Sequence, residues 1–185
     1  MQKAKEEAQN RGLNFLLGFQ DEARFGRISD PSRCWAPEHM RPNASQQIVR
    51  EYTYAYGACF PENGEHDSLI LPDMRAETMS IFLKEVSDRH PDSYILMIID
   101  GASCHRSKEL KVPGNIQILG LPPYSPDFNP QENIWDELRE KHFANRVFQD
   151  MDAVEINLVS ALLNLESTPE KVKSITGWKW ILDTL

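Results

Sequence analysis

The sequence predicts an α/β domain, a mixed five-stranded sheet flanked by helices. Three strand-like runs precede the first helical pattern, and an uninterrupted apolar run of the kind that forms a parallel strand buried on both faces follows it. Further strand and helix patterns alternate behind it, which is the order of a sheet covered by helices. At 185 residues and 41% hydrophobic content the chain is long enough for one sizeable core.

Residues 1–12, "MQKAKEEAQNRG", are charged and read as an N-terminal extension, either a frayed helix end or a linker, leaving 13–185 as a single domain. In "LNFLLGFQDEARF", Leu13, Phe15, Leu17 and Phe19 alternate onto one face of a strand, and Asp21 continues that face. Proline-rich "DPSRCWAPEHMRP" is a loop. "QQIVREYTYAYGACF" has the β-branched and aromatic content of a second strand, Asn63-Gly64 signals a hairpin, and "SLILP" returns as the third. "RAETMSIFLKEVSDRH" sets Met79, Phe82, Leu83 and Val86 at helical spacing, and Pro91 stops it. "YILMIID" is the buried central strand. Lys108 to Lys111 predicts a short helix broken at "VPGN", and "IQILGLPP" is the fifth strand. Asn129 is placed to cap a helix with Pro130 at its first position; Ile134, Trp135 and Leu138 form its apolar side, so Trp135 reads as core. A last helix, Met151 to Leu165, carries Val154, Leu158, Leu162 and Leu165 inward.

Composition excludes several classes. No apolar run reaches the roughly 18 residues of a membrane helix, and the polar start has no apolar signal segment, so a cytoplasmic protein with no membrane partner is expected. Cys34, Cys59 and Cys104 are odd in number and widely spaced, which suggests neither a disulfide framework nor a zinc site. The net charge of −8 denies the whole domain the positive field of an autonomous nucleic-acid binder. Arg106, Lys108 and Lys111, and Arg139, Lys141 and Arg146, form local basic clusters that read as solvated faces. The "TYAY" aromatics read as half-buried sheet residues.

Three carboxylates stand out. Asp21 interrupts an apolar strand face, where a buried carboxylate needs a partner or a proton. Asp100 ends the hydrophobic strand, and ligands of open α/β sheets gather at the carboxyl ends of strands. Glu132 lies in the first turn of a helix delivered by the stiff segment "LPPYSPDFNP", whose prolines restrict φ. Oxygen-only ligands suit Mg²⁺ or Mn²⁺ better than zinc. Each acid has a plainer reading: Glu132 with Asn129 as a capping box, Asp100 before Gly101 as a turn, Asp21 paired with Arg24 or Arg27. Glu22, Asp127 and Asp136 are competing carboxylates.

Taken together, "FQDEARFG" at 19–26, "CWAPEHMRP" at 34–42, "LMIIDGASCH" at 96–105 and "LPPYSPDFNPQENIW" at 121–135 resemble the catalytic domain of DDE transposases of the mariner-related insertion-sequence branch. The resemblance implies a ribonuclease-H-like fold and a catalytic, metal-binding triad of Asp21, Asp100 and Glu132 holding two Mg²⁺ or Mn²⁺ ions. It implies DNA cleavage and strand transfer on transposon ends and target DNA, by a protein acting as a homodimer. His105, Trp35 and Arg41 match family positions and are candidates for contact with substrate DNA; for His105 a surface role and for Trp35 simple packing stand beside that reading. Nothing before Leu13 is long enough for the family's helix-turn-helix region, expected here to be absent. Two alternatives remain beside the transposase: a catalytically inactive, co-opted DNA-docking or dimerisation module, and a metal-dependent ribonuclease-H-like nuclease without strand transfer.

Overall fold

The computed structural model describes residues 1–29, 31–101, 107–122 and 126–185. Five strands form one sheet: β1 (Asn14–Ile28), β2 (Ile48–Phe60), β3 (Glu65–Leu71), β4 (Ser93–Ile99) and β5 (Ile116–Gly120). Their order is β3-β2-β1-β4-β5. The first three strands are an antiparallel meander, whereas β4 and β5 run parallel to β1. This is the mixed five-stranded sheet that the sequence predicts. The β2–β3 turn is closed by Gly64, whose φ of 76° lies in the left-handed region, and the Glu65 N–H donates to Asn63 Oδ1 at 2.9 Å.

Helix α2 (Ala76–Arg89) covers one face. Its Met79, Phe82, Leu83 and Val86, predicted from their spacing, are fully buried against Tyr56, Phe60, Ile95 and Met97. Each such side chain contributes about 1.5–3 kcal/mol of transfer free energy. The opposite face is covered by α1 (Gln2–Arg11), α3 (Pro130–Leu138), α4 (Met151–Glu166), α5 (Pro169–Thr176) and α6 (Lys179–Leu182). Leu17, Phe19, Ala23 and Phe25 of β1 point into this second core, with Leu13 and Phe15 at its margin, so the alternation of the first strand holds along its length.

Two expectations are corrected and one is narrowed. Residues 2–11, read as a frayed helix end or a linker, form a helix, α1, whose Ala4 and Ala8 bury one small-residue stripe against the sheet while Lys3, Glu6 and Arg11 face out. Lys108 to Lys111 is not a helix but a turn closed by the Leu110 N–H on the Ser107 carbonyl: the next donor, the Lys111 N–H, goes instead to Ser80 Oγ at 2.9 Å, and Pro113 further on has no N–H to continue a helix. The chain also continues past Leu165 into α5 and α6, whose Val172 and Ile181 join the core. Among the described residues no helix is long and apolar enough to cross a membrane.

Candidate active site

The site forms where β1 and β4 part. Their parallel pairing runs from Asn14 opposite Ser93 to Phe19 opposite Ile98 and stops there, while β1 continues beside β2. The last paired residues, Phe19 and Ile98, both pack into the core beneath α3. Two residues further along lie Asp21, which keeps the side of the pleat that Phe19 takes, and Asp100, one residue past the end of β4. Beyond the parting, the Gln20 carbonyl is taken by the side-chain amide of Asn129, which donates to it at 3.1 Å. Asn129 is also the N-cap of α3, its Oδ1 accepting from the Gln131 N–H at 3.2 Å, with Pro130 behind it. One side chain therefore seats the start of α3 in the crevice between the strands, and Glu132 stands in the first turn of that helix.

Asp21 is 7% exposed. The Trp135 indole N–H donates to its Oδ2 at 2.8 Å. Burial, then the charges of Glu132 and Glu22, push its carboxyl up to about 8, against hydrogen bonds from the Glu22 backbone and Trp135 that favour the ionised form. Glu132 is half-buried. Burial raises it as well; Arg139 works against that, and the charges of Asp136 and Asp100 add to it. Asp21 thus feels Glu132, and Glu132 feels Asp100: acids from a strand, a strand end and a helix share one electrostatic environment.

The plainer readings fare differently. Arg27 pairs with Glu51 at 2.7 Å, and Arg24 lies over the Tyr52 ring, so neither takes Asp21. The α3 cap is made by the Asn129 side chain, and among the described residues no hydrogen bond joins the Glu132 carboxylate to it. Of the competing acids, Asp136 is exposed and reaches Arg139, Asp127 is exposed, and Glu22 alternates to the other side of β1 from Asp21.

The donor set is oxygen only and suits a hard divalent cation. A buried carboxylate raised by neighbouring acids is relieved by such a charge, so Asp21, Asp100 and Glu132 fit Mg²⁺ or Mn²⁺ in kind. As they stand, no three His, Cys, Asp or Glu side chains among the described residues are gathered closely enough to share an ion.

His105 lies outside the described residues. Trp35 and Arg41 sit on the connection between β1 and β2; Trp35 is wholly exposed, so the packing reading for it does not hold, and Arg41 is exposed too. The structure brings neither to the three acids. Arg139 stacks on Phe25 and Arg146 donates to Asn157, which commits both to local contacts. Of the aromatics from Tyr52 to Tyr56, Tyr56 is fully buried and its hydroxyl donates to the Asp73 carbonyl, whereas Tyr52 is exposed against Tyr54.

Two contributors escaped the sequence reading. Trp135 is core, fully buried, yet its polar edge serves Asp21. Gly57, opposite Asp21 in β2, is what lets Trp135 lie there: a Cβ at this position would come within 2.4 Å of Gln131 Nε2 and 2.6 Å of Trp135 Cη2. Only the cross-strand register reveals that pairing.

A family model described as DDE superfamily endonuclease matches residues 17–155. The Sinorhizobium fredii protein y4pE/y4sA, itself named as uncharacterized, is 35% identical over 130 residues, which cover 70% of this chain and 96% of that protein. The Mos1 transposase paired-end complex with left transposon end superposes with a TM-score of 0.58 at 13% identity, over 95% of this chain and 60% of that one. The Mos1 mariner paired-end complex with Mn gives 0.60 at 14% identity, over 86% of this chain and 53% of that one. This chain therefore spans 53% to 60% of the length of those two Mos1 chains, and the likeness shows the ribonuclease-H-like fold. The family match runs from the strand bearing Asp21, through the end of β4, past the helix bearing Glu132, and on that ground this chain belongs to the DDE superfamily endonucleases.

Proposed function

We propose that this chain is the catalytic domain of a transposase, cutting DNA at the ends of a mobile element and joining them to target DNA. One observation carries the reading: where β1 and β4 part, Asp21 on β1 feels the charge of Glu132 on α3, and Glu132 feels that of Asp100, one residue past the end of β4. The family match and the fold shared with Mos1 support it. In this reading the three acids hold two Mg²⁺ or Mn²⁺ ions. Bound there, the ions supply an activated water or hydroxyl nucleophile and stabilise the leaving oxygen of a phosphodiester.

The chain's own residues do the rest. Asp21, raised by burial, gives up its proton as the cation enters and takes a fixed place on the central strand. Asn129 sets the start of α3 against β1, which fixes how far Glu132 reaches. The chemistry is hydrolysis of a phosphodiester, releasing a 3′-hydroxyl, and attack of that hydroxyl on a target phosphodiester with expulsion of a new 3′-hydroxyl. The DNA partner in this reading is supported by the Mos1 complexes with transposon ends.

The test is a strand-transfer assay with element-end duplex, Mn²⁺ and a supercoiled target, run beside Asp21→Ala, Asp100→Ala and Glu132→Ala. Joined product from the wild type alone is expected. Nicks without joined product would identify a nuclease lacking strand transfer, and a wild type no more active than the variants would leave the chain a docking module.

A further inference from the structure

We infer that Trp135 is a positioning residue for Asp21, fixing the plane of its carboxylate so that the acid is presented to the cation in one orientation. The inference rests on the reading of Asp21 as a metal-holding acid. The terminal torsion of an aspartate is soft, so a carboxylate in a pocket turns unless something holds it. Here the holder is rigid. The Trp135 ring is fully buried, stands edge-on to Phe25 at 6.0 Å and to His66 at 6.3 Å, and lies flush against Gly57 of β2. An indole N–H only donates, and in this setting it addresses Asp21 Oδ2 at 2.8 Å. A Trp kept for volume alone has no need to aim its one polar atom at the one buried acid of β1.

The placement has a second side. Trp135 lies one turn after Glu132 on α3, so the helix that delivers one acid also carries the donor that orients another. Any shift of α3 moves both together. Outer partners of metal ligands act in this way, and losing one costs about 10- to 100-fold in metal affinity.

The test uses the full chain with Mn²⁺ as the calorimetric probe, on wild type, Trp135→Phe, Phe25→Leu and Asp21→Ala. Trp135→Phe keeps an aromatic ring but loses the donor; Phe25→Leu trims the packing around Trp135 and leaves the N–H in place. Mn²⁺ affinity is expected to fall about 10- to 100-fold in Trp135→Phe and to fall far less in Phe25→Leu, which loosens the ring but keeps the donor. In ¹⁵N-labelled wild type the Trp135 indole resonance is expected to move as Mg²⁺ is added, and to stay still in Asp21→Asn. Unchanged affinity in Trp135→Phe, or equal loss in Phe25→Leu, would overturn the inference. If Trp135→Phe does not fold, the indole resonance decides alone, and a resonance indifferent to Mg²⁺ overturns it. Mn²⁺ binding that survives Asp21→Ala would sink the metal reading itself, whereas binding lost there but intact in Trp135→Phe removes only the role given to Trp135.

Discussion

The side-chain amide of Asn129 bonds the Gln20 carbonyl at 3.1 Å, so the residue that caps α3 also closes the open edge of the strand next to Asp21. Replacing Asn129 by Ala removes a cap worth about 1 kcal/mol and leaves a buried carbonyl unpaired at a further cost of about 1–3 kcal/mol. Urea unfolding of Asn129→Ala is expected to show both losses together. Cleavage activity should fall by more than the stability change accounts for, because Glu132 and Trp135 move with the helix.

Gly57→Ala puts a methyl group into the space held by Gln131 and Trp135. Overpacking of this kind costs about 1–3 kcal/mol, sometimes more. The variant is expected to fold with a lower melting temperature and to lose Mn²⁺ affinity. A fully stable Gly57→Ala chain would show that α3 does not need this close approach.

Asp21 lends the metal-free protein a distinct pH dependence. Its carboxyl stands at about 8 when folded and near the ordinary carboxylate value when unfolded. Between about pH 4 and pH 8 the unfolded chain has released a proton that the folded chain keeps, so stability falls as pH rises through that window and levels off above it. Asp21→Asn removes the effect. At pH 8 the variant is expected to be more stable than the wild type, on the order of a few kcal/mol, although it gives up an acid of the proposed metal site. Thermal unfolding from pH 5 to 9 in chelator checks this.

His90 works in the opposite sense. Burial disfavours its charged form, but the hydrogen bond to Asp67 at 2.8 Å and the charges of Asp67 and Glu65 outweigh that, despite Arg89 nearby, and raise it above the ordinary histidine value. The stability it contributes is complete below about pH 6.5 and fades as pH climbs through the raised value. In His90→Gln that part of the pH profile should be flat, and an unchanged profile would remove the role given to this pair.

Gln20 is the remaining oddity of β1. Its side chain is fully buried, and among the described residues neither amide atom has a hydrogen-bond partner. Gln20→Met, similar in shape and apolar, is expected to stabilise the chain by about 1–3 kcal/mol in urea unfolding.

Much of this molecule is legible from periodicity. The alternation from Leu13 to Phe19 points Asp21 inward, the run ending at Asp100 is the parallel strand beside β1, and Asn129-Pro130 marks the start of the helix bearing Glu132. What stays hidden is whatever depends on two segments meeting. A helical period identifies Trp135 as core but says nothing about where its N–H points. Gly57 looks like a weak place in a strand until its register with Asp21 is known. The charged character of α1 hides the Ala4 and Ala8 stripe, because small residues carry little hydrophobic signal. The short α5 and α6 lack a long apolar repeat, although Thr168-Pro169 is a start signal.

The parting of β1 and β4 makes the three acids unequal in time. Asp21 rides on the central strand, whose amides, bonded into ladders on one side or both, should exchange with solvent only when the whole molecule opens. Asp100 stands just past the end of its strand, where local fraying suffices to displace it, whereas Glu132 is tied to β1 through the Asn129 bond that seats its helix. Closing the site is then less a meeting of three moving partners than the arrival of one at two fixed posts, and hydrogen exchange would see that asymmetry before any substrate is added.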